Sequence, residues 1–147
     1  MEKTKLLESI LRMADILRRE DERNALTANY FAVALADTIL ALKAGELSDA
    51  LGDDGARVEL ETAEMLFTKT VSLTKEVRDG ILAATRADGY DPRTDEFLFR
   101  KALFRVRERA KAEGATSIDT VLYFRVLLES PTAILKKQLL LDGENYT

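Results

Sequence analysis

The stretch that decides the fold reads TKLLESILRMADILRRE and covers residues 4–20. Its apolar side chains recur at steps of three and four residues, which is the period of one face of an α-helix. They are Leu6, Leu7, Ile10, Leu11, Ala14 and Leu17. Because polar and charged side chains fill most positions between them, this stretch predicts an amphipathic helix that packs one face onto a core.

The same helical period continues along the rest of the chain, and no segment alternates apolar and polar residues as a strand would. We expect further helices at about 28–43, at 56–70, after a cap at Thr74, from Asp95 to about Glu113, after a cap at Asp119, and after a cap at Ser130 with Pro131 at the first helical position. One continuous helix over 56–86 is the alternative for the third and fourth. The sequence therefore predicts an all-α fold with about seven helices.

The second predicted helix is apolar on more than one side, which favours a central position in the core. We expect the Thr27 hydroxyl to cap its first turn and Gly45 to end it in the left-handed conformation. The following segment, 46–64, carries seven acidic residues against one basic residue. It predicts an acidic surface, with a turn around Gly52 and Gly55.

Composition argues against several kinds of chemistry. The 147 residues include no Cys and no His, so the sequence offers no thiol nucleophile, thiolate metal ligand or imidazole base. It contains no Gly-x-x-x-x-Gly-Lys-Ser/Thr phosphate loop, and Asp53 and Asp54 lack the ligand spacing of a calcium loop. We therefore expect a protein that is not an enzyme and that uses no metal ion or cofactor; an enzyme that uses carboxylates without His or Cys is a further alternative.

Charge and hydropathy bear on location and partners. The chain has 22 basic and 26 acidic side chains and a net charge of −4, so long-range attraction to nucleic acid or to an anionic membrane is weak. The charged amino end does not resemble a signal peptide. The apolar stretch 30–42 is interrupted by Asp37 and is shorter than a membrane span. We expect a cytoplasmic protein without a membrane or nucleic-acid partner.

Displacing the sequence by 92 positions lays the first two helices over the fifth and sixth. The stripe that begins at Leu6 then falls on Leu98, Phe99, Ala102, Leu103 and Val106, and after a loop of equal length Leu26, Thr27 and Phe31 fall on Ile118, Asp119 and Tyr123. We expect Phe31 and Tyr123 in the core. The pattern predicts one domain over 1–147, with repeats at about 4–86 and 94–143.

Three stretches of the second copy carry a family resemblance. They read ALFRVRERAKA from Ala102, IDTVLYFRVLLES from Ile118 and ILKKQLLLDG from Ile134. An alanine-rich helix, a helix of the form Ile-Gly-Thr-Glu-His-Leu-Leu-Leu-Ala-Leu-Leu and a short Ile-Leu helix before a Gly make up one repeat of the Clp N-terminal domain, which this copy resembles. That domain is the duplicated helical module at the front of Clp-type AAA+ protein unfoldases. The resemblance implies a docking domain for substrates or adaptor proteins, with ATPase domains in the same full-length chain.

The departures from this family pattern indicate what the domain would bind. The family's Glu-His pair falls on Asn29 and Tyr30 in the first copy and on Val121 and Leu122 in the second. In some family members that Glu helps hold phosphorylated arginine by charge-assisted hydrogen bonds, which Asn and Val do not reproduce. The resemblance instead implies an adaptor or unfolded segment held by apolar contact between the repeats. The candidate partner-binding residues are Tyr30, Phe124, Asn29 and Val121.

The densest basic feature is the stretch 100–111 of the fifth helix. Its bases are Arg100, Lys101, Arg105, Arg107, Arg109 and Lys111. Helical spacing keeps several of them close together, so a stand-alone regulator that binds nucleic acid or an acidic partner here is the alternative function. The simpler interpretation is a solvated face that Glu96, Glu108 and Glu113 neutralise.

Overall fold

A computed structural model describes residues 1–47, 53–67 and 75–140 of the chain. These residues form seven α-helices, which confirms the predicted all-α class. The helices are α1 Lys5–Glu20, α2 Ala28–Lys43, α3 Asp54–Phe67, α4 Lys75–Thr85, α5 Arg93–Ala112, α6 Thr120–Glu129 and α7 Ala133–Gln138. The only extended pairing in the described parts is a parallel bridge between Lys3 and Ile118.

The centre of the molecule is α2, as its apolar sequence predicts. Every residue from Ala28 to Ala36 is buried. The helix packs against α1, α3 and α4, while α6 packs against α3 and α5, and α4 packs against α7. Because α2 is covered on several sides, it needs apolar side chains around most of its circumference.

An aromatic cluster joins α2, α3 and α6 at the middle of the core. The ring of Phe31 lies 4.9 Å from that of Tyr123 and 5.9 Å from that of Phe124, measured between centroids. The ring of Phe67 stacks on that of Phe124 at 4.8 Å. The predicted core positions of Phe31 and Tyr123 are therefore confirmed, and tilted aromatic contacts of this kind stabilise beyond the area that they bury.

The caps of the helices agree with the sequence at some ends and differ at others. The Asp119 carboxylate accepts a hydrogen bond from the Leu122 amide and caps α6, as predicted. Thr27 stands at the N-cap position of α2, but its buried hydroxyl accepts no hydrogen bond from the first turn, so the predicted hydroxyl cap is wrong. The predicted cap at Ser130 is also wrong, because the Thr132 hydroxyl caps α7 by accepting from the Leu135 amide.

The glycines around the acidic segment differ in how well they match the sequence. Gly55 lies within the first turn of α3 and not in a turn before it, because Asp53 accepts a hydrogen bond from the Ala56 amide and starts the helix there. Gly52, the cap predicted at Thr74 and the question of a helix continuous over 56–86 concern residues outside the described ranges. Gly45, in contrast, has a φ of 72° and ends α2 as predicted.

The 92-residue displacement seen in the sequence is retained in the helix boundaries. The last residues of α1 and α5, Glu20 and Ala112, are 92 positions apart, and so are the first residues of α2 and α6, Ala28 and Thr120. Phe31 and Tyr123, which the displacement makes equivalent, also contact each other. Contact between equivalent residues is expected where a twofold axis passes between two copies. Superposition of the two helix pairs stays a prediction.

Candidate functional site

The structure places three of the four predicted partner-binding residues in the interior. Asn29, Tyr30 and Phe124 are 0%, 1% and 0% exposed, whereas Val121 is half-buried. A side chain without exposed surface cannot line a groove. The expectation that Tyr30 or Phe124 does so is therefore corrected: Tyr30 is buried and its hydroxyl reaches Asp21 at the end of α1, and Phe124 belongs to the aromatic cluster.

Asn29 is the centre of a buried polar network. Its Nδ2 donates to Oδ2 of Asp95 at 3.0 Å and to the hydroxyl of Tyr90 at 3.1 Å. Its Oδ1 accepts from the hydroxyl of Thr132 at 2.6 Å. The Tyr90 hydroxyl also donates to Oδ2 of Asp95 at 2.5 Å. One amide therefore connects α2 to the beginning of α5 and to the cap of α7.

This network favours an amide over a carboxylate at position 29. Asp95 lies in the first turn of α5, where the helix dipole favours a negative charge. Burial and the hydrogen bond to Asp95 raise the pKa of Tyr90, so its hydroxyl stays protonated and remains a donor. A glutamate at position 29 would place a second carboxylate against Asp95. The geometry fits an interior cross-link and presents no open acid or base.

Tyr30 is the centre of a second polar cluster, at the end of α1. Its hydroxyl donates to Oδ2 of Asp21 at 2.8 Å, and the Arg86 guanidinium donates to the same carboxylate at 2.9 Å. Although burial opposes ionisation, the hydrogen bonds from Arg86 and Tyr30 hold the pKa of Asp21 below its ordinary value. Burial and the Asp21 carboxylate raise the pKa of Tyr30 to about 12. This cluster fastens α1 to α2 and α4.

Glu59 departs from the predicted acidic surface. Its Oε2 accepts from the hydroxyl of Thr4 and from the backbone amide of Thr120, each at 2.8 Å. Thr4 caps α1, and Thr120 is the first residue of α6. One carboxylate on α3 thus connects two helix N-termini, where a negative charge is favourable. Asp53, Asp54 and Glu61 are exposed, in agreement with the predicted acidic surface.

The feature that sequence reasoning missed is the outer face of α5. Phe97 and Phe104 are 50% and 71% exposed, and Leu103, which the repeat pattern placed in the inner stripe, is 38% exposed. The two phenylalanines are seven residues apart and lie on the same side of the helix. Helical spacing could have predicted this exposure, because both rings fall on the side of α5 opposite the buried positions Ala102 and Val106.

Positive charge surrounds these exposed rings. The ammonium of Lys101 lies 5.1 Å from the centroid of the Phe97 ring, within the range of a cation–π contact. Arg100, Arg107 and Lys111 are also exposed. None of the four forms an ion pair within the described residues, and all four are exposed, as a solvated face requires. We call Phe97, Arg100, Lys101, Leu103, Phe104, Arg107 and Lys111 the basic-aromatic face.

The acidic residues near this face have other partners or none. Glu113 binds Arg125, and Arg109 is held by Glu129 on α6 in a two-bond ion pair of 2.6 and 2.9 Å. A cavity of about 300 Å³ lies beside the last turns of α5. Its charged lining side chains are Lys3, Arg107 and Lys111. The basic character of α5 therefore extends towards the amino end of the chain.

Comparison with known proteins finds nothing similar: no protein-family model, no curated protein and no solved structure matches the chain. Among the described residues, no helix has both the length and the apolar content to cross a membrane. The same residues contain no group of three or more carboxylates arranged to hold a metal ion.

Proposed function

We propose that this protein is a non-enzymatic protein-interaction module whose docking surface is the basic-aromatic face of α5. The observation that carries the proposal is the pair of exposed rings, Phe97 and Phe104, on a helix whose opposite side is anchored in the core. Single exposed apolar residues are ordinary, but aromatic side chains interleaved with arginine are the composition that protein interfaces favour.

The rigidity of the support favours docking by a preformed surface. Asp95 holds the first turn of α5 through Asn29 and Tyr90, and Arg109 holds its last turn through Glu129. A helix fixed at both ends presents its outer side chains without a large loss of conformational entropy on binding.

The role in a Clp-type unfoldase is the finer part of the proposal. It rests on the resemblance of the stretches that form α5, α6 and α7, together with the 92-residue register that relates α5 and α6 to α1 and α2. In this proposal the module docks substrates or adaptor proteins for an ATP-dependent unfoldase, whose ATPase domains lie in the same full-length chain. The docking surface is then the outer side of α5 and not the interior positions Tyr30 and Phe124.

A second candidate, binding of nucleic acid through the same helix, is favoured by one observation. Arg100, Lys101, Arg107 and Lys111 are exposed and have no acidic partner in the described residues. Free bases at helical spacing can neutralise phosphates. The net charge of −4 opposes this binding at long range, so we place it second.

The test compares two labelled probes on one protein. One probe is a permanently unfolded polypeptide, reduced and carboxymethylated α-lactalbumin, and the other is a short DNA duplex; both are titrated by fluorescence anisotropy. The docking proposal predicts saturable binding of the polypeptide and a loss of at least about tenfold in the double variant Phe97→Ser/Phe104→Ser.

The matched variant Lys101→Gln/Arg107→Gln separates the two candidates. For polypeptide docking it should have the smaller effect of the two variants. DNA binding that is abolished by this variant and falls steeply with salt would support the second candidate. Absence of polypeptide binding, or binding that the phenylalanine variant leaves unchanged, would contradict the proposed docking surface.

A further inference from the structure

A second outer face, on α3, matches the basic-aromatic face in spacing and opposes it in charge. Val58 and Met65 are 61% and 68% exposed and lie seven residues apart. Between and before them on the same side are Glu61 and Asp54, both exposed. We call these four residues the acidic-apolar face.

The two faces can be aligned residue by residue. An offset of 39 positions places Val58 opposite Phe97 and Met65 opposite Phe104 when the helices run parallel. The same offset places Glu61 opposite Arg100, which has no acidic partner in the described residues. In this register apolar side chains contact apolar side chains. The carboxylate contacts a guanidinium, which can donate two parallel hydrogen bonds to it.

The antiparallel arrangement is less favourable. It also brings Met65 to Phe97, Val58 to Phe104 and Glu61 to Lys101. However, Asp54 then faces Glu108, and two like charges oppose each other. Parallel alignment avoids this contact, because Asp54 then faces Arg93, a base that also pairs with Asp91. The parallel orientation is therefore the more favourable one, by the absence of this like-charge contact.

These faces cannot meet within one molecule. The inner sides of α3 and α5 pack on α6, and the exposed side chains of both helices lie on the sides turned away from those contacts. We propose that the basic-aromatic face of one molecule docks the acidic-apolar face of a second copy of this chain. This inference rests on the proposed function in one respect, namely that the basic-aromatic face is a protein-docking surface.

Charge also determines the type of assembly. A twofold contact of two basic-aromatic faces would oppose their bases, and a twofold contact of two acidic-apolar faces would oppose their carboxylates. The pairing is therefore head-to-tail, which leaves one free face at each end and generates a ring or a chain. It also makes a second copy the competitor of any other partner for the basic-aromatic face.

Two variants test this pairing, because each inactivates one face only. Glu61→Arg places a base opposite Arg100 and inactivates the acidic-apolar face, and Phe104→Asp inactivates the basic-aromatic face. Glu8→Arg, at an exposed position of α1, is the control for a charge reversal elsewhere. Circular dichroism establishes that all four proteins fold, and sedimentation velocity measures their mass over a range of concentrations.

The expected result is specific to head-to-tail pairing. The average mass of the wild type and of Glu8→Arg rises with concentration, whereas Glu61→Arg and Phe104→Asp remain monomeric alone. An equimolar mixture of these two gives a dimer that grows no further, because one intact face remains on each. High salt should weaken all of these associations, since part of the attraction is between charges.

Several results would overturn the inference. They are a wild type that stays monomeric at every concentration, single variants that associate as the wild type does, or a mixture of the two that stays monomeric. If the wild type stays monomeric while the unfolded polypeptide or the DNA duplex binds α5, that ligand replaces the second copy as the occupant. The docking proposal survives in the polypeptide case, so the two failures are distinguishable.

Discussion

Helices α1 and α5 are related by the 92-residue displacement of the sequence and have similar inner sides. Ile10 and Ala14 of α1 are equivalent to Ala102 and Val106 of α5, and all four are buried. In the first pair the larger residue, Ile10, belongs to α1. In the second pair the larger residue, Val106, belongs to α5. Such an exchange keeps the buried volume of the two stripes similar, which is what close packing of a core requires.

The outer sides of these two helices differ. Where α1 carries the charged residues Lys5 and Arg12, α5 carries the exposed rings of Phe97 and Phe104. The Asp15 side chain of α1 binds two arginines of its own helix, while the equivalent residue of α5 is Arg107. Folding constrains the inner sides alike. The two exposed rings of α5 have no aromatic counterpart on α1, whose large exposed apolar residue is Ile16, equivalent to Glu108.

The two helices are also held differently. The beginning of α5 depends on Asp95, which is buried together with Asn29, whereas the end of α1 depends on Asp21 and the half-exposed Arg86. A hydrogen bond that is shielded from water is more costly to break than one at the surface. The following changes should therefore have effects that decrease from the interior to the outer face of α5.

The largest effect is expected from Asn29→Leu. This change leaves the buried carboxylate of Asp95 and the hydroxyl of Thr132 without their amide partner, and should lower the free energy of unfolding by about 3 kcal/mol. Urea unfolding measures it. The control is Asn24→Leu, the same substitution at an exposed position, which should stay within about 0.5 kcal/mol of the wild type. Equal effects at both positions would mean that the network does not hold α5.

A smaller loss is expected from Glu59→Ala, which removes the carboxylate shared by the starts of α1 and α6. The change should cost about 1–2 kcal/mol, because two charge-assisted hydrogen bonds at helix N-termini are lost. Glu59→Gln should lose less, since its amide oxygen still accepts hydrogen bonds. The exposed Glu61 provides the matched control, and a Glu61→Ala variant as unstable as Glu59→Ala would argue against the connecting role.

The cluster at the end of α1 predicts that the free energy of unfolding falls at alkaline pH. The pKa of Tyr30 is raised from 10.0 to about 12, so the unfolded chain loses this proton first. The stabilisation is therefore complete below pH 10 and is lost as pH rises through 12. Tyr30→Phe should flatten the dependence of unfolding free energy on pH in this window. An unchanged slope in the variant would show that Tyr30 ionises alike in both states.

The smallest effect on stability is expected at the outer face of α5. Phe104→Ser should change the free energy of unfolding by less than about 0.5 kcal/mol, because the ring is mostly in water already. Arg12→Ser, at the equivalent position of α1, should be equally neutral. Only Phe104→Ser should weaken binding of the unfolded polypeptide. A large loss of stability in Phe104→Ser would instead assign the ring to the fold.

Several features of the fold follow from local sequence alone. The helical period from Leu6 onward, the glycines after α2 and α5, and the carboxylate of Asp119 act over one or two turns, so their effects do not depend on distant parts of the chain. The 92-residue register is also visible in the sequence, since it compares the chain with itself. These signals predict the class, the number and most boundaries of the helices.

Other features required the tertiary structure because they join residues far apart in the chain. No local rule places Thr132 against Asn29, or Glu59 between Thr4 and Thr120, and a polar residue in an apolar helix gives no sign of its partner. Exposure is likewise a property of the packed molecule. Periodicity defines which residues share a side of α5, but only the arrangement of its neighbours decides that Phe104 is left in water while Phe124 is enclosed.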